Sequence, residues 1–328
     1  MKQPTVMRRC SALMVLCLAL ANSVWGAPPP PPLSVELAAP PPAIEPPPGY
    51  KTPPTTLEKI REYGAIYVGH QSASIPFSYY APDGETVQGF SWDLCMKIVD
   101  AVRARIGNPT LPVVPVLTTP STRMMMTETG VIDLQCASVT NTDQRARYVA
   151  FSNTIFVAGV KALVRKELGV RTLADLRGRT IVTTSGTTTD AYVKAATARR
   201  NIFVNMRTAR THQESFDMVL SGQADAFVLD DILLQGLLTN TKEADAFKLV
   251  ILNENMAFEP YGLTLRKGDP EFKKLVDEVL VGLMKSGEFE KLYDKWFQAP
   301  IPPNGVNLKV PMSPELKQLI KTPNDRGA

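Results

Sequence analysis

Three short stretches hold side chains whose types and spacing can do chemistry. The first, Ser138-Val-Thr140-Asn-Thr-Asp-Gln-Arg145, follows an apolar run that ends at Ala137. A hydroxyl at a strand end and a guanidinium a few residues on can converge on one carboxylate. The Arg supplies a two-pronged fork, and Thr or backbone N–H groups fill the remaining lone pairs. The second stretch, Thr184-Ser-Gly-Thr187-Thr188, lies between a strand pattern and a helix pattern. Free N–H groups and the dipole at a helix N-terminus make an anion site there, and Gly186 permits close approach. The third, Leu229-Asp230-Asp231, ends a strand pattern. Asp230 can offer a carboxylate to an ammonium group, while Asp231 caps the helix that follows. Arg145, the Thr187 region and Asp230 together have the logic of a site for a zwitterion, an α-amino acid. Each stretch also has a plainer reading: Arg145 in a surface ion pair, and the hydroxyls and Asp231 as helix caps.

No G-x-S-x-G, H-E-x-x-H, phosphate-loop or G-x-G-x-x-G pattern occurs, so none of the common catalytic signatures is present. His70 and His212 are the only histidines, which thins the pool of catalytic bases and metal ligands. Scattered single Cys and His residues make no zinc-site spacing, so neither a metal nor a cofactor is expected. The chain has 328 residues, 44% hydrophobic and 21% charged, which fits a globular protein of about two domains. Its net charge is +4, and Lys2, Arg8 and Arg9 carry most of it; without them it is +1. That excludes the basic stripe of a nucleic-acid binder.

Those three basic residues precede an apolar run from Cys10 to Ala21, and Val24-Trp25-Gly26 before Ala27 is a small-x-small cleavage pattern. The run is too short for a span of about 20 residues. Residues 1–26 read as a secretory signal peptide, with a bacterial periplasm as the destination. Residues 27–54 hold thirteen prolines and read as a semi-rigid polyproline spacer. Cys10 and Cys17 leave with the signal. Cys95 and Cys136 remain, and the preferred expectation is two small buried free thiols; the alternative is a bridge, which an oxidising compartment permits.

The elements that must position these groups alternate between strand and helix. Thr55-x-x-Glu58 is a capping box that opens a helix ended by Gly64. A strand is expected over 65–69, a helix over 92–105, and an edge or irregular strand over 111–117 because it holds Pro112 and Pro115. Pro120 is placed as the first residue of a helix running to Thr129, with a strand over 131–137 after Gly130. The second half repeats the grammar, with a strand at Thr180–Thr184, a helix near 214–220 and a strand at 224–229. Gly130-Val-Ile-Asp133 and Gly222-Gln-Ala-Asp225 share a helix–Gly–Asp–strand junction. The pattern predicts α/β lobes with mainly parallel sheets. Asp269-Pro270 opens a helix through Met284, another carries Phe289 to Phe297, and a short amphipathic segment lies at Leu316–Ile320.

Several segments in this order resemble the periplasmic glutamate/aspartate-binding proteins of ABC importers, in the polar amino-acid group of solute-binding proteins. They are Val68-Gly-His70 with Ile75-Pro-Phe-Ser-Tyr-Tyr80, Phe151-Ser-Asn-Thr-Ile-Phe156, Thr184-Ser-Gly-Thr-Thr188, and Asp230-Asp231. Tyr261-Gly262 with Leu265-Arg-Lys-Gly-Asp-Pro270, and Asp294-Lys-Trp-Phe297 with Ile301-Pro-Pro303, continue the match, which runs from about 55 to 325. The resemblance implies the type II periplasmic-binding-protein fold: two α/β lobes, two crossover segments, and the ligand in the cleft. It implies a first lobe from 55–157 and 258–300, a second from 158–257, and a tail from 301–328. It also implies roles. Arg145 clamps the ligand α-carboxylate with Ser138 and Thr140, and Asp230 takes the α-ammonium. Thr187 and Thr188 face the cleft from a helix N-terminus, and Arg123 and His212 reach the side-chain carboxylate. Phe77 either walls the pocket or packs in the core.

Two positions depart from the family pattern: Gln71 stands where relatives carry Arg after the His of the first strand, and Pro120 where they have Ser. Counting Arg123, Arg145 and Asp230, the site carries about one positive charge, which complements glutamate or aspartate. Gln71 instead favours an amide, glutamine or asparagine. The expected function is a monomeric binding protein that captures an acidic amino acid by hinge closure and delivers it to a membrane permease. The rivals are a dehydratase-like enzyme on the same fold, with Glu259 as a candidate cleft acid, and a soluble co-receptor.

Overall fold

The structure, a computed structural model, describes residues 54–328 except residue 247. The signal peptide and the proline spacer up to residue 53 lie outside the described residues. Among the described residues the first element is α1 (Thr56–Tyr63), opened by the Thr55–Glu58 capping box and closed by Gly64 in the left-handed region at φ 64°. Then come β1 (Ile66–His70), a small antiparallel sheet of β2 (Ala73–Ser74), β3 (Ser78–Tyr80) and β4 (Val87–Gln88), and α2 (Phe90–Ile106). β5 (Val113–Leu117), α3 (Arg123–Glu128), β6 (Leu134–Gln135) and β7 (Val149–Phe151) follow. β8 (Phe156–Arg165) leads to β9 (Thr180–Thr184), α4 (Thr188–Arg199), β10 (Asn205–Ala209), α5 (His212–Leu220) and β11 (Ala226–Asp230). α6 (Asp231–Thr239), α7 (Glu243–Ala246) and β12 (Leu249–Ile251) lead to β13 (Phe258–Tyr261) and β14 (Thr264–Arg266). The remainder is α8 (Pro270–Ser286), α9 (Glu288–Phe297), β15 (Pro300–Ile301), β16 (Val306–Asn307) and α10 (Pro314–Lys321).

Two α/β lobes result, each on its own sheet. One sheet has the order β5-β1-β6-β14-β7, the other β10-β9-β11-β8-β12, with β13 added to β8. β1 runs parallel to β5 and β6, and β9 runs parallel to β10 and β11. β14 and β8 enter antiparallel, so the sheets are mixed where a mainly parallel arrangement was expected. The reason is topological: β8 continues one pass of chain between the lobes and β14 follows the other, so each enters its sheet in the opposite sense. β8 and β13 are those passes, paired antiparallel from Phe156↔Tyr261 to Gly159↔Phe258.

β5 is the edge strand that Pro112 and Pro115 imply. Pro120 is a correction: it opens no helix, and α3 begins only at Arg123. Thr119 and Thr122 form a hydroxyl-linked turn there instead, with Thr119 N donating to Thr122 Oγ1 at 3.0 Å. The strand expected over 131–137 shrinks to Leu134–Gln135.

The core beneath the passes is aromatic. Phe77 is fully buried, with ring centroids 5.0 Å from Phe156, 5.2 Å from Tyr261 and 5.6 Å from Phe297. Of its two readings, core packing is the one observed. Cys95 and Cys136 are both fully buried, but they are joined as a disulfide with Cα atoms 6.2 Å apart. The expectation of free thiols is therefore overturned. Cys95 lies among the buried residues of α2, and Cys136 directly follows β6.

Candidate functional site

The predicted residues come from seven places in the chain and converge where the two lobes meet. Ser121 Oγ donates to the Ser185 carbonyl at 3.1 Å. Gly186 has φ 80° and lies against Pro120, where an added Cβ would fall 2.7 Å from the Pro120 carbonyl carbon and oxygen. No side chain fits at that approach.

Arg145 opens a single 3-10 turn after the β6 loop. Its Nη1 donates to the Thr140 carbonyl at 2.9 Å and its Nη2 to the Gly186 carbonyl at 3.0 Å, one bond to each lobe. Burial lowers its pKa, and Glu259, Asp230 and Tyr261 oppose that shift. Arg123, the first residue of α3, is 2% exposed. Its Nη1 donates to the Ser138 carbonyl at 2.9 Å, and its Nε has no partner among the described residues. Burial brings the guanidinium down to about 9, and Arg145 pushes the same way. Ser138 Oγ is also buried without a partner among the described residues.

Asp230 ends β11 and is 5% exposed. The Tyr261 hydroxyl donates to Oδ2, while Oδ1 has no partner among the described residues. Burial raises this carboxyl well above the usual range, and the neighbouring charge of Glu259 adds to it; the Tyr261 bond opposes. Burying a carboxylate with one bare oxygen is costly unless a cation meets it.

The second-lobe hydroxyls are largely satisfied locally. Thr187 precedes α4, and its Oγ1 donates to the Thr184 carbonyl at 2.6 Å and lies 2.8 Å from Thr189 Oγ1. Thr188 Oγ1 instead donates to Glu259 Oε2 at 2.8 Å, and Thr140 Oγ1 donates to the same oxygen at 2.5 Å. His212, the first residue of α5, is buried with Nδ1 2.9 Å from Thr184 Oγ1. Burial and the nearby Arg123 charge hold its pKa at about 3, so the ring is neutral at physiological pH. Gln71 follows β1, its Oε1 accepting from Ser74 Oγ at 2.5 Å. It lines a cavity of about 80 Å³ with Thr118, Pro120, Thr211 and His212.

Glu259 and Tyr261 were not among the expected binding residues. Tyr261 entered the reading only through a motif, and Glu259 only as a rival enzyme's acid. Their presence corrects the charge count: two guanidinium groups now face two carboxylates, so the net charge with all four ionised is zero rather than +1. Glu259 and Tyr261 sit at alternate positions of a crossover strand, a placement visible only once β13 is known to pass between the lobes.

Residues 66–299 match the bacterial extracellular solute-binding proteins, family 3. The chain is 43% identical over 273 residues to the L-glutamate/L-aspartate-binding protein of Pseudomonas aeruginosa, covering 83% of this chain and 90% of that one. It is 39% identical over 273 residues to the glutamate/aspartate import solute-binding protein of Escherichia coli, covering 83% and 89%. Among solved structures, a mutant of ArgBP from T. maritima superposes with a TM-score of 0.64 at 29% identity, covering 74% of this chain and 99% of that one. The chain belongs to the family 3 bacterial extracellular solute-binding proteins.

Proposed function

We propose that the protein is a periplasmic binding protein that captures glutamate or aspartate between its lobes and delivers it to an ABC permease in the inner membrane. The observation that carries this reading is that buried Arg123 and half-buried Arg145 lie within electrostatic reach of buried Asp230, whose Oδ1 lacks a partner among the described residues. Two cationic forks suit two carboxylates, and the bare carboxylate oxygen suits an ammonium group. The names of the Pseudomonas aeruginosa and Escherichia coli relatives support the same ligand class. In this reading the lobes span 55–157 with 258–300, and 158–257. The bonds that Arg145 makes to both lobes support a site formed where the lobes close on one another. The protein works as a monomer, exported behind a cleaved signal peptide.

The reading is of a carrier rather than an enzyme. A cleft acid would need a carboxylate free to move a proton. Glu259 is engaged by two hydroxyls, and Asp230 faces the guanidinium groups needed for the amino acid.

The test is calorimetric titration of refolded, ligand-free protein with glutamate, aspartate, glutamine and asparagine. Tight binding of the two acids, lost in Arg145→Ala, is expected. Preference for the amides would make Gln71 the specificity switch. Binding of none of the four would overturn the reading and bring the enzyme forward.

A further inference from the structure

Glu259 is a buried acid with no part in binding so far. It is 6% exposed and lies on β13, one of the two passes between the lobes. Its Oε2 accepts from Thr140 Oγ1 at 2.5 Å and from Thr188 Oγ1 at 2.8 Å. Thr140 lies in the loop after β6 and Thr188 opens α4 in the other lobe, yet their oxygens are only 3.4 Å apart. One carboxylate oxygen therefore ties together a hydroxyl from each lobe.

The polarity of those bonds matters more than their number. A threonine hydroxyl has one proton and two lone pairs. An ionised carboxylate only accepts, so both protons point at Glu259. What Thr140 and Thr188 can then offer a ligand is lone pairs alone. That is the wrong polarity for a ligand carboxylate and the right one for an ammonium group. Asp230, whose Oδ1 has no partner among the described residues, feels the Glu259 charge more than any other. Arg145 leaves this arrangement intact, because its bonds go to the carbonyls of Thr140 and Gly186.

We propose that Glu259 is a positioning residue that turns Thr140 and Thr188 into hydrogen-bond acceptors and so, with Asp230, makes a protonated amine obligatory in the ligand. This rests on the amino-acid reading above, and it moves Thr140 from the carboxylate side of the site to the ammonium side. A ligand with the same two carboxylates but no amine meets two fixed carboxylates and two inverted hydroxyls with nothing to offer them, so it is rejected.

The test compares glutamate with glutarate, its amine-free counterpart, by calorimetry on wild type, Glu259→Gln and Thr188→Val, with the melting temperature of each ligand-free protein as the folding control. Glutamine at 259 lacks the charge and can donate through its amide, so it no longer forces both hydroxyl protons inward. Glutamate affinity should fall at least tenfold in Glu259→Gln while glutarate affinity holds or rises, shrinking the discrimination at least tenfold. Thr188→Val removes one acceptor and should shrink it in the same direction by a smaller factor. It carries the test if Glu259→Gln does not fold. Equal weakening of both ligands, or no change in either, overturns the proposal, since a merely structural glutamate would move both alike. Wild-type protein that binds neither glutamate nor aspartate takes down the amino-acid reading itself, whereas an unmoved ratio on a wild type that binds them overturns only the role of Glu259.

Discussion

The two lobes carry the same junction at the base of a central strand and opposite chemistry at its tip. At the base, Gly130 and Gly222 end a helix with φ 71° and 79°. Two residues on, Ile132 N donates to the Met126 carbonyl at 3.1 Å and Ala224 N to the Met218 carbonyl at 2.9 Å. Asp133 and Asp225 then each grip the neighbouring parallel strand twice. Asp133 exchanges bonds with both backbone groups of Tyr67 at 2.8 Å, and Asp225 does so with Thr180 at 2.8 and 2.9 Å. A basic side chain closes each unit, Lys59 at 2.8 Å from Asp133 and Arg165 at 3.3 Å from Asp225. The tips diverge. The first helical residue is Arg123 in one lobe and His212 in the other, one cationic and one neutral. The strand end leads in one to the Ser138 hydroxyl, without a partner among the described residues, and in the other to the Asp230 carboxylate. A repeated scaffold thus holds a cationic face against an anionic one, which is what a zwitterion requires. Scaffold and ligand chemistry should therefore respond separately to mutation.

The sharpest way to separate them is Asp230→Asn. In the proposed reading, removing the charge assigned to the ligand ammonium should cost about 3–5 kcal/mol of binding, roughly 10²–10⁴-fold in glutamate Kd. The ligand-free protein should respond with the opposite sign. A carboxyl whose folded pKa is raised loses stability as pH climbs above its unfolded value. At neutral pH the asparagine should accordingly melt higher than wild type. A lower melting temperature together with the lost affinity would mean that Asp230 is scaffold, and the division between base and tip would fail.

The converse test lies at the base. Asp133→Ala should destabilise the fold by about 2–3 kcal/mol, because it strands Lys59 and a backbone N–H. Asp225→Ala should cost about 1–2 kcal/mol, since its carboxylate is 23% exposed against 1% for Asp133. Chemical denaturation reads both. Glutamate affinity of the folded fraction should stay within about threefold of wild type, as neither group reaches the tips. A tenfold loss in either variant would show that the junction tunes the site as well as holding it.

What could be read in the sequence follows this same division. The α1 cap depends on neighbours within a few residues and was legible, and the strand Thr180–Thr184 was marked by its run of β-branched residues. The helix–Gly–Asp junction was legible as a pattern, because its glycine ends the helix by local geometry; that its aspartate grips a strand 45 to 66 residues away was not. β8 was not, since both its faces are buried and it shows no alternation. Pro120 misled because a proline rule for helix starts competed with a threonine-linked turn and lost. The Cys95–Cys136 pairing and the part played by Glu259 depend on segments remote in sequence meeting in space, and no spacing announces them.

His212 gives the neutral arm of the comparison a pH signature. Its pKa is about 3 in the fold and 6.5 in the unfolded chain. Between those values the unfolded state holds the extra proton, so stability is full above pH 6.5 and declines on acidification. The slope is about 1.4 kcal/mol per pH unit, or about 2 kcal/mol between pH 6.5 and 5. His70, also lowered by burial, adds to the same limb. Denaturation across that window should show the decline, and His212→Gln should flatten most of it. Arg123, at about 9, contributes nothing there. A variant as steep as wild type would mean that His212 is charged in the fold, and that the two helix-start residues are alike after all.

The smallest expected effect is at Gln71, where the cationic face stops short. The cavity beside it is lined by Ser74, Thr118, Thr211 and neutral His212, and carries no formal cation. Gln71 is held there by Ser74, so its amide already has a fixed orientation. A guanidinium at this position would extend the charge of Arg123 and Arg145 along the same wall. Against a ligand end group it would offer a charge-assisted bond in place of a neutral one, a gain offset in part by the cost of burying another cation. Gln71→Arg should therefore raise the preference for glutamate over glutamine by about tenfold, measured as the ratio of their dissociation constants. An unchanged ratio would mean that the ligand end group stops short of Gln71. The discrimination would then fall to Arg123, the buried cation at the start of α3, and the asymmetry between the lobes would be sharper than the cavity suggests.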